Sequence, residues 1–295
     1  MGIFDAAPSS RMILGLSVAL LWGAGDLCAA IAARRFGALA TLVLAQGVEL
    51  ALCIAAWMWL RPTPSTSPGS VITLLFVGLL TAVSYGSLYR GMVFGPVSIV
   101  TAIGSAYAAG PAILAVILLH ESISRQGAIG AAATVLGVVI VSAGMSQKVN
   151  RRGNGRGISF GILAAIGFAI SAFLIAMFAG RIGWLLPLVF SRVGVIVVLV
   201  IVIVGVRPSE WVERPRVASR TSAFAVLAGT CNLAGTSLYV HAGQLELVAV
   251  VSAISALFPL VPIVGGLLVF GERLTTSQIG GILMILAGLL ILHTS

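Results

Sequence analysis

Charge is what this sequence has least of. Only 8% of its 295 residues are Asp, Glu, Lys or Arg, and just eight of them are acidic. A water-soluble domain carries about 25% charged residues, so this chain cannot build a water-facing surface. Cysteine is scarce: Cys28, Cys53 and Cys231 all lie inside apolar stretches, with neither metal-ligand spacing nor a disulfide framework. The three histidines, His120, His241 and His293, stand far apart. We expect no metal and no cofactor. There is no nucleophile elbow, no Gly-rich phosphate loop and no pair of carboxylates in a polar segment, which speaks against an enzyme. Long polar segments are missing as well. The longest connections are SQKVNRRGNGR (146–156) and RPSEWVERPRVASR (207–220), neither of them a domain.

What the sequence does have is apolar length. Hydrophobic residues make up 59% of it, and the mean hydropathy is +1.15. A bilayer core takes about twenty apolar helical residues to cross. Runs of that length are predicted at 12–33, 38–60, 70–92, 96–119, 126–145, 157–179, 184–206, 221–243, 247–270 and 276–293. They are too long and continuous for barrel strands. The first run has the outline of a signal peptide, with Arg11 before it and the small residues LCAAIAA at its end. Asp26 interrupts it and a counterpart recurs later, so it is taken as a mature span. The net charge of +9 sits between the runs, at phospholipid-headgroup level, without the aromatic interleaving of a nucleic-acid binder. The 35 glycines suit close packing of membrane helices.

The chain also repeats. A shift of 151 residues lays GPVSIVTAIGSAYAAGPAILAVILLHESISRQGAIGAAATVLGVVIV over ELVAVVSAISALFPLVPIVGGLLVFGERLTTSQIGGILMILAGLLIL. Pro111 falls on Pro262, Glu121 on Glu272, Gly130 on Gly281 and Gly137 on Gly288. The earlier runs align at 146, which sets Gln46 on Arg192; the longer 207–220 connection absorbs the difference. The units are 1–146, a basic linker 147–156, and 157–295. Five runs per unit is an odd number, so the second unit enters the membrane upside down. The expected fold is an all-α membrane protein of ten transmembrane helices in two inverted five-helix repeats, an arrangement associated with alternating-access transport.

Two motifs carry a resemblance. GERLTTSQIGGILMILAG, its first-half copy HESISRQGAIGAAATVLG, and LLWGAG in the first run resemble the drug/metabolite transporter superfamily, specifically its EamA group. The likeness extends over the whole chain and implies a secondary transporter in the cell (plasma or inner) membrane, working on a small molecule. The second half also resembles the four-span small multidrug transporters, which use a glutamate in their first span. Here Trp22-Gly23 stands in that vicinity, with Asp26 nearby.

Polar residues inside apolar runs are costly and mark a pathway by default. Asp26, Gln46 and Glu49 are the first candidates for contact with substrate or protons; Gln46 and Glu49 share a helix face. The alternative is that the carboxylates neutralise a buried arginine such as Arg192. Conversely, Arg192 has two possible partners, Glu49 or a carboxylate on the substrate. Tyr85, Asn232 and Tyr239 lie on polar-aromatic stripes of the third and eighth runs, where the other use is interhelical hydrogen bonding. Tyr89, near a run end, suits an interfacial aromatic belt. Tyr107 precedes Pro111 by four residues, where a loosened helix can line a cavity. Glu121 and Glu272 are expected to be structural, and Glu246 a helix N-terminal charge. The glycine rows 130/137 and 281/288 imply close helix contact, with a homodimer surface as one use.

The expected function is export of small amino-acid-like or toxic amphipathic compounds, coupled to protons. An uptake carrier and a non-transporting sensor or structural protein are the alternatives. Arg11, Arg61, Arg125 and Arg181 lie on the N-terminal side, against eleven Lys and Arg on the other. That bias predicts termini outside the cytoplasm, whereas the resemblance implies cytoplasmic termini. Reporter fusions at Ser295 and in the 146–156 connection distinguish the two: the charge bias predicts a cytoplasmic signal from the connection only.

Overall fold

In hydrocarbon every backbone polar group must be satisfied within the protein, and a helix does this inside one segment. The computed structural model describes residues 8–61, 67–120, 124–143, 151–183, 185–205, 219–244, 251 and 254–293, and among these there is no strand. The helices are α1 (Pro8–Phe36), α2 (Ala38–Leu60), α3 (Pro68–Phe94), α4 (Val97–Ser105), α5 (Gly110–Leu119), α6 (Arg125–Ala143), α7 (Arg151–Ile182), α8 (Leu185–Gly205), α9 (Ser219–Gln244), α10 (Leu260–Val269) and α11 (Thr276–His293). Among the described residues, seven stretches are long and apolar enough to cross a membrane, counting α4 and α5 together as Val97–Leu119. α10 and α11 are apolar but shorter, and α9 is long but threaded with Thr, Ser and Asn. Outward faces carry large apolar side chains such as Trp59, Val204 and Leu268. Glu121, Glu246 and much of the start of the ninth run lie outside the described residues.

The repeat is visible in the backbone. Gly37 (φ 94) and Gly183 (φ 81) are equivalents at an offset of 146, and each makes the turn between two helices. A positive φ costs glycine nothing, because it has no Cβ to clash. His120 (φ 54) and Gly271 (φ 63), equivalents at 151, end the fourth and ninth runs in the left-handed region. Ser124 and Thr275, also equivalents, cap the helices that follow. The Ser124 hydroxyl accepts from Gly127 N–H at 2.9 Å, and Thr275 N–H donates to Gln278 at 2.8 Å.

The fourth and ninth runs are broken at the same place. Between α4 and α5, residues Ala106–Ala109 form a 3-10 turn. Before α10, Phe258 N–H bonds to Ser255 O (2.9 Å) and Leu260 N–H to Leu257 O (3.0 Å), again three residues back. The cause is proline. Pro111 and Pro262 have no N–H to offer the carbonyls four residues earlier, those of Tyr107 and Phe258, and their rings crowd them. Each carbonyl takes a tighter partner instead, from Gly110 N–H and Val261 N–H.

Packing follows the same pairing. α1 packs on α9 and α7 on α3; α2 packs on α9 and α8 on α3. The glycine rows meet inside one chain: Gly130 lies on Gly288, and Gly137 on Gly281, so α6 and α11 cross antiparallel through equivalent rows. A homodimer surface is therefore not what these rows serve here. Glu272, expected to be structural, caps α4. Its carboxylate accepts the N–H groups of Val97 (2.6 Å) and Ser98 (2.9 Å) and the Ser98 hydroxyl (2.6 Å). It also pairs with Arg34 at 3.1 Å. Arg34, expected at the headgroups, is drawn in by that carboxylate and by the carbonyls of Met92 (2.8 Å) and Gly95 (2.9 Å).

A side chain at Gly137 would begin 2.8 Å from Gly281 O, whereas nothing lies within 4 Å of Gly280. We therefore expect Gly137→Leu to cost about 1–3 kcal/mol through overpacking. Gly280→Ala, on the open face, should leave thermal unfolding in detergent micelles unchanged or slightly improved.

Candidate functional site

Two buried charges meet between α2 and α8. Gln46 and Glu49 lie one turn apart on α2 and are fully buried; Arg192, on α8, is 8% exposed. Arg192 Nη2 stands 2.9 Å from Glu49 Oε2. Arg192 Nη1 donates to Gln46 Oε1 at 2.9 Å, and Gln46 Nε2 donates to Glu49 Oε1 at 2.9 Å. The three side chains form a closed ring of polar contacts. Of the two partners open to Arg192, the structure supplies Glu49. The guanidinium also lies 5.7 Å from the centre of the Tyr85 ring, a cation–π distance. Arg192 Nε and the Tyr89 hydroxyl are buried without a hydrogen-bond partner. Tyr89 is fully buried, not part of an interfacial belt, because α3 runs past it to Phe94 against α7.

From Tyr85 a row of aromatic rings crosses the molecule. Tyr89 lies 5.8 Å from Tyr85, Tyr85 4.7 Å from Phe168, and Phe168 5.5 Å from Tyr107. Tyr107 is 6.4 Å from Phe258, Phe258 5.9 Å from Trp22, and Trp22 5.3 Å from Tyr239. The row is built from repeat equivalents: Trp22 matches Phe168 at 146, and Tyr107 matches Phe258 at 151. Where Tyr85 covers Phe168 in one half, its equivalent Thr236 accepts a hydrogen bond from Trp22 Nε1 (3.2 Å) in the other. Tyr107 and Phe258 sit at the two helix breaks, so the breaks face each other. Gly23 allows this approach, since a Cβ there would stand 2.6 Å from Phe258 O. Sequence reasoning missed Phe168 and Phe258 as part of the centre. The repeat offsets, applied to Trp22 and Tyr107, were the available signal.

Asp26 follows Trp22 by one turn on the same face of α1. It is 8% exposed and, among the described residues, makes no hydrogen bond or ion pair. It lies within electrostatic reach of the Glu49 carboxylate and of the Tyr85 and Tyr107 hydroxyls. Asn232, on α9, faces α1: a Cβ on Gly25 would stand 2.6 Å from Asn232 Oδ1. Asn232 Nδ2 is buried and unpartnered. Of the eight candidates, Gln46, Glu49, Arg192 and Tyr85 thus form one contact group. Tyr107 joins it through Phe168 and Tyr239 through Trp22, while Asp26 and Asn232 lie on adjacent faces of α1 and α9. A groove of about 310 Å³ on α10 and α11, lined by Leu260, Ile263, Leu267 and their apolar neighbours, shares no residue with this centre.

The sequence profile of the EamA-like transporter family matches residues 9–143 and again 155–294. The chain belongs to the EamA-like transporter family. Two matched segments mean that the family unit occurs twice. The EamA-like chain is accordingly a membrane transporter with a lipid bilayer as its solvent and a small molecule as its cargo, and the family's character supports a non-enzymatic reading. A crystal structure described only as "Crystal structure of protein" has a TM-score of 0.60 at 16% identity, covering 97% of this chain and 96% of that one; this likeness shows the fold alone. No curated protein matches the chain.

The Arg192 group of this EamA-like protein predicts a specific pattern of stability. Removing one member of a buried pair strands the other, at a cost of about 3–5 kcal/mol, whereas apolar replacement of both is often neutral. We expect Arg192→Met to lower the unfolding temperature in micelles sharply and Arg192→Met with Glu49→Leu to recover most of the loss. Equal melting of the single variant and the wild type would count against a structural pair.

Proposed function

We propose that this EamA-like protein is a secondary carrier of ten spans, in two inverted halves of five, that exports small amino-acid-like or toxic amphipathic metabolites across the plasma membrane by alternating access in exchange for protons. One observation carries this reading: equivalent residues of the two halves touch each other. Gln46 meets Arg192, Tyr107 meets Phe258, and the glycine rows of α6 and α11 cross. Residues related by a two-fold axis can touch only beside that axis. Two such contacts on different helices fix the axis, the glycine rows cross about it, and with an odd number of spans per half it lies in the membrane plane. Rocking of the halves about it opens the centre to one side and then the other. Broken helices beside the axis are where irregular backbone is tolerated at membrane depth.

The side chains on the axis supply the chemistry. The aromatic row stands between the halves and must part for cargo to pass. Asp26, unpaired and enclosed, is the group we assign to proton exchange. The Gln46–Glu49–Arg192 ring holds α2 to α8 while offering polar contacts at its edge. Asn232 and Tyr239 line the α9 side. No nucleotide-binding loop is present in the sequence, so the driving force is an ion gradient.

The test begins with metabolite profiling of cells with and without the protein, followed by flux of the accumulated compound in proteoliposomes under a pH gradient. Asp26→Asn is expected to lower gradient-driven flux by about tenfold or more, in line with loss of a positioned proton-transfer group, while the variant still elutes as folded protein. Flux of the Asp26→Asn, Glu49→Gln double variant equal to wild type would reject proton-coupled export.

A further inference from the structure

Among the described residues, the centre of this protein holds one acidic group without a cation and no cation without an acidic group. Arg192 is engaged at Nη1 by Gln46 and at Nη2 by Glu49. Arg34 is engaged by Glu272 and two backbone carbonyls. Asp26 has neither a hydrogen-bond donor nor a positive partner among the described residues. An enclosed carboxylate left in that state is costly, and a bound cation relieves the cost. What surrounds Asp26 is suited to a particular kind of cation. Trp22 lies one turn away on the same helix face, within the row that continues to Phe258 and Tyr107. Aromatic faces attract ammonium groups, most strongly when water is excluded. Beside them, Asn232 Nδ2 is a buried donor with nothing to donate to. Its Oδ1 lies against Gly25, next to Asp26 in the chain.

We propose that Asp26, Trp22, Tyr107 and Asn232 form a subsite for the protonated amine of the cargo, and that the cargo class is organic amines carrying a neutral hydrogen-bond acceptor, not free amino acids. The ammonium sits between the Asp26 carboxylate and the rings. Asn232 Nδ2 donates to a carbonyl or hydroxyl oxygen of the same molecule. A free carboxylate on the ligand finds no available cation at this centre and faces the like charge of Asp26. This narrows the cargo named above and rests on the carrier reading for its biological meaning, though the binding step stands by itself.

The experiment is direct binding to the full-length protein in lipid nanodiscs, with four probes of one skeleton: phenethylamine, phenylalaninamide, phenylalanine and phenylacetate. Phenylalaninamide and phenethylamine are expected to bind, and phenylalanine and phenylacetate to bind at least about tenfold more weakly, the effect of one unfavourable charge contact in an enclosed site. Asp26→Asn should weaken phenethylamine by about tenfold or more. Asp26→Glu should retain the preference for amines, which separates charge from folding. Asn232→Leu should weaken phenylalaninamide more than phenethylamine. Absence of amine binding, equal binding of the carboxylate-bearing probes, or amine binding unaltered by Asp26→Asn would each overturn the proposal. Asp26-dependent binding without flux in proteoliposomes would uphold the subsite and reject the carrier. Flux of a carboxylate-bearing cargo without amine binding would do the reverse.

Discussion

Contact between equivalent positions of the two halves governs this structure. Where a residue meets its own repeat partner, the two side chains must be compatible across the contact between the halves. Small residues come near it between α6 and α11, where Gly130 lies on Gly288 and Gly137 on Gly281, each on the equivalent of the other glycine of its row. Rings meet it at the helix breaks, where Tyr107 faces Phe258. Polar groups meet it between α2 and α8, where Gln46 faces Arg192.

Within that symmetric frame the chemistry is uneven. Gln46 and Arg192 occupy equivalent positions, yet one is neutral and one charged. Glu49 compensates the charge, and its own equivalent is the apolar Val195. Asp26 matches Ala172, so its carboxylate has no counterpart in the other half. Thr236 stands where the other half has Tyr85. A duplicated scaffold thereby holds a single set of polar groups, concentrated on one path through the centre. In the buried pair Glu49 offsets the charge of Arg192 and Gln46 bonds to both, although Arg192 Nε has no partner; Asp26 has no such compensation.

Most of the helical layout was legible beforehand because hydrophobic length is a one-dimensional property. The second, third and seventh runs fall within two residues of α2, α3 and α8. The caps at Ser124 and Thr275 were legible too, since a hydroxyl residue ahead of an apolar run acts locally. The breaks before Pro111 and Pro262 were foreshadowed at Tyr107 and in the prolines, but their facing one another was not. Glu272 was expected to be structural, but what it holds was not legible. It caps α4, 174 residues away in the chain, and no local pattern announces a partner at that distance.

Composition, run length and the two repeat offsets were enough to establish that the chain is helical, membrane-embedded and duplicated, because each follows from the order of residues along a line. They also narrowed the polar centre to a few residues, since charge inside hydrocarbon is costly wherever the helix lies. Which of those charges neutralise one another was settled by folding alone. Arg192 pairs with Glu49, and Asp26 does not, because of how α2, α8 and α1 are set around the axis. That arrangement depends on where glycines such as Gly23 and Gly25 let helices approach. It is a matter of three-dimensional distance, which no spacing along the chain contains.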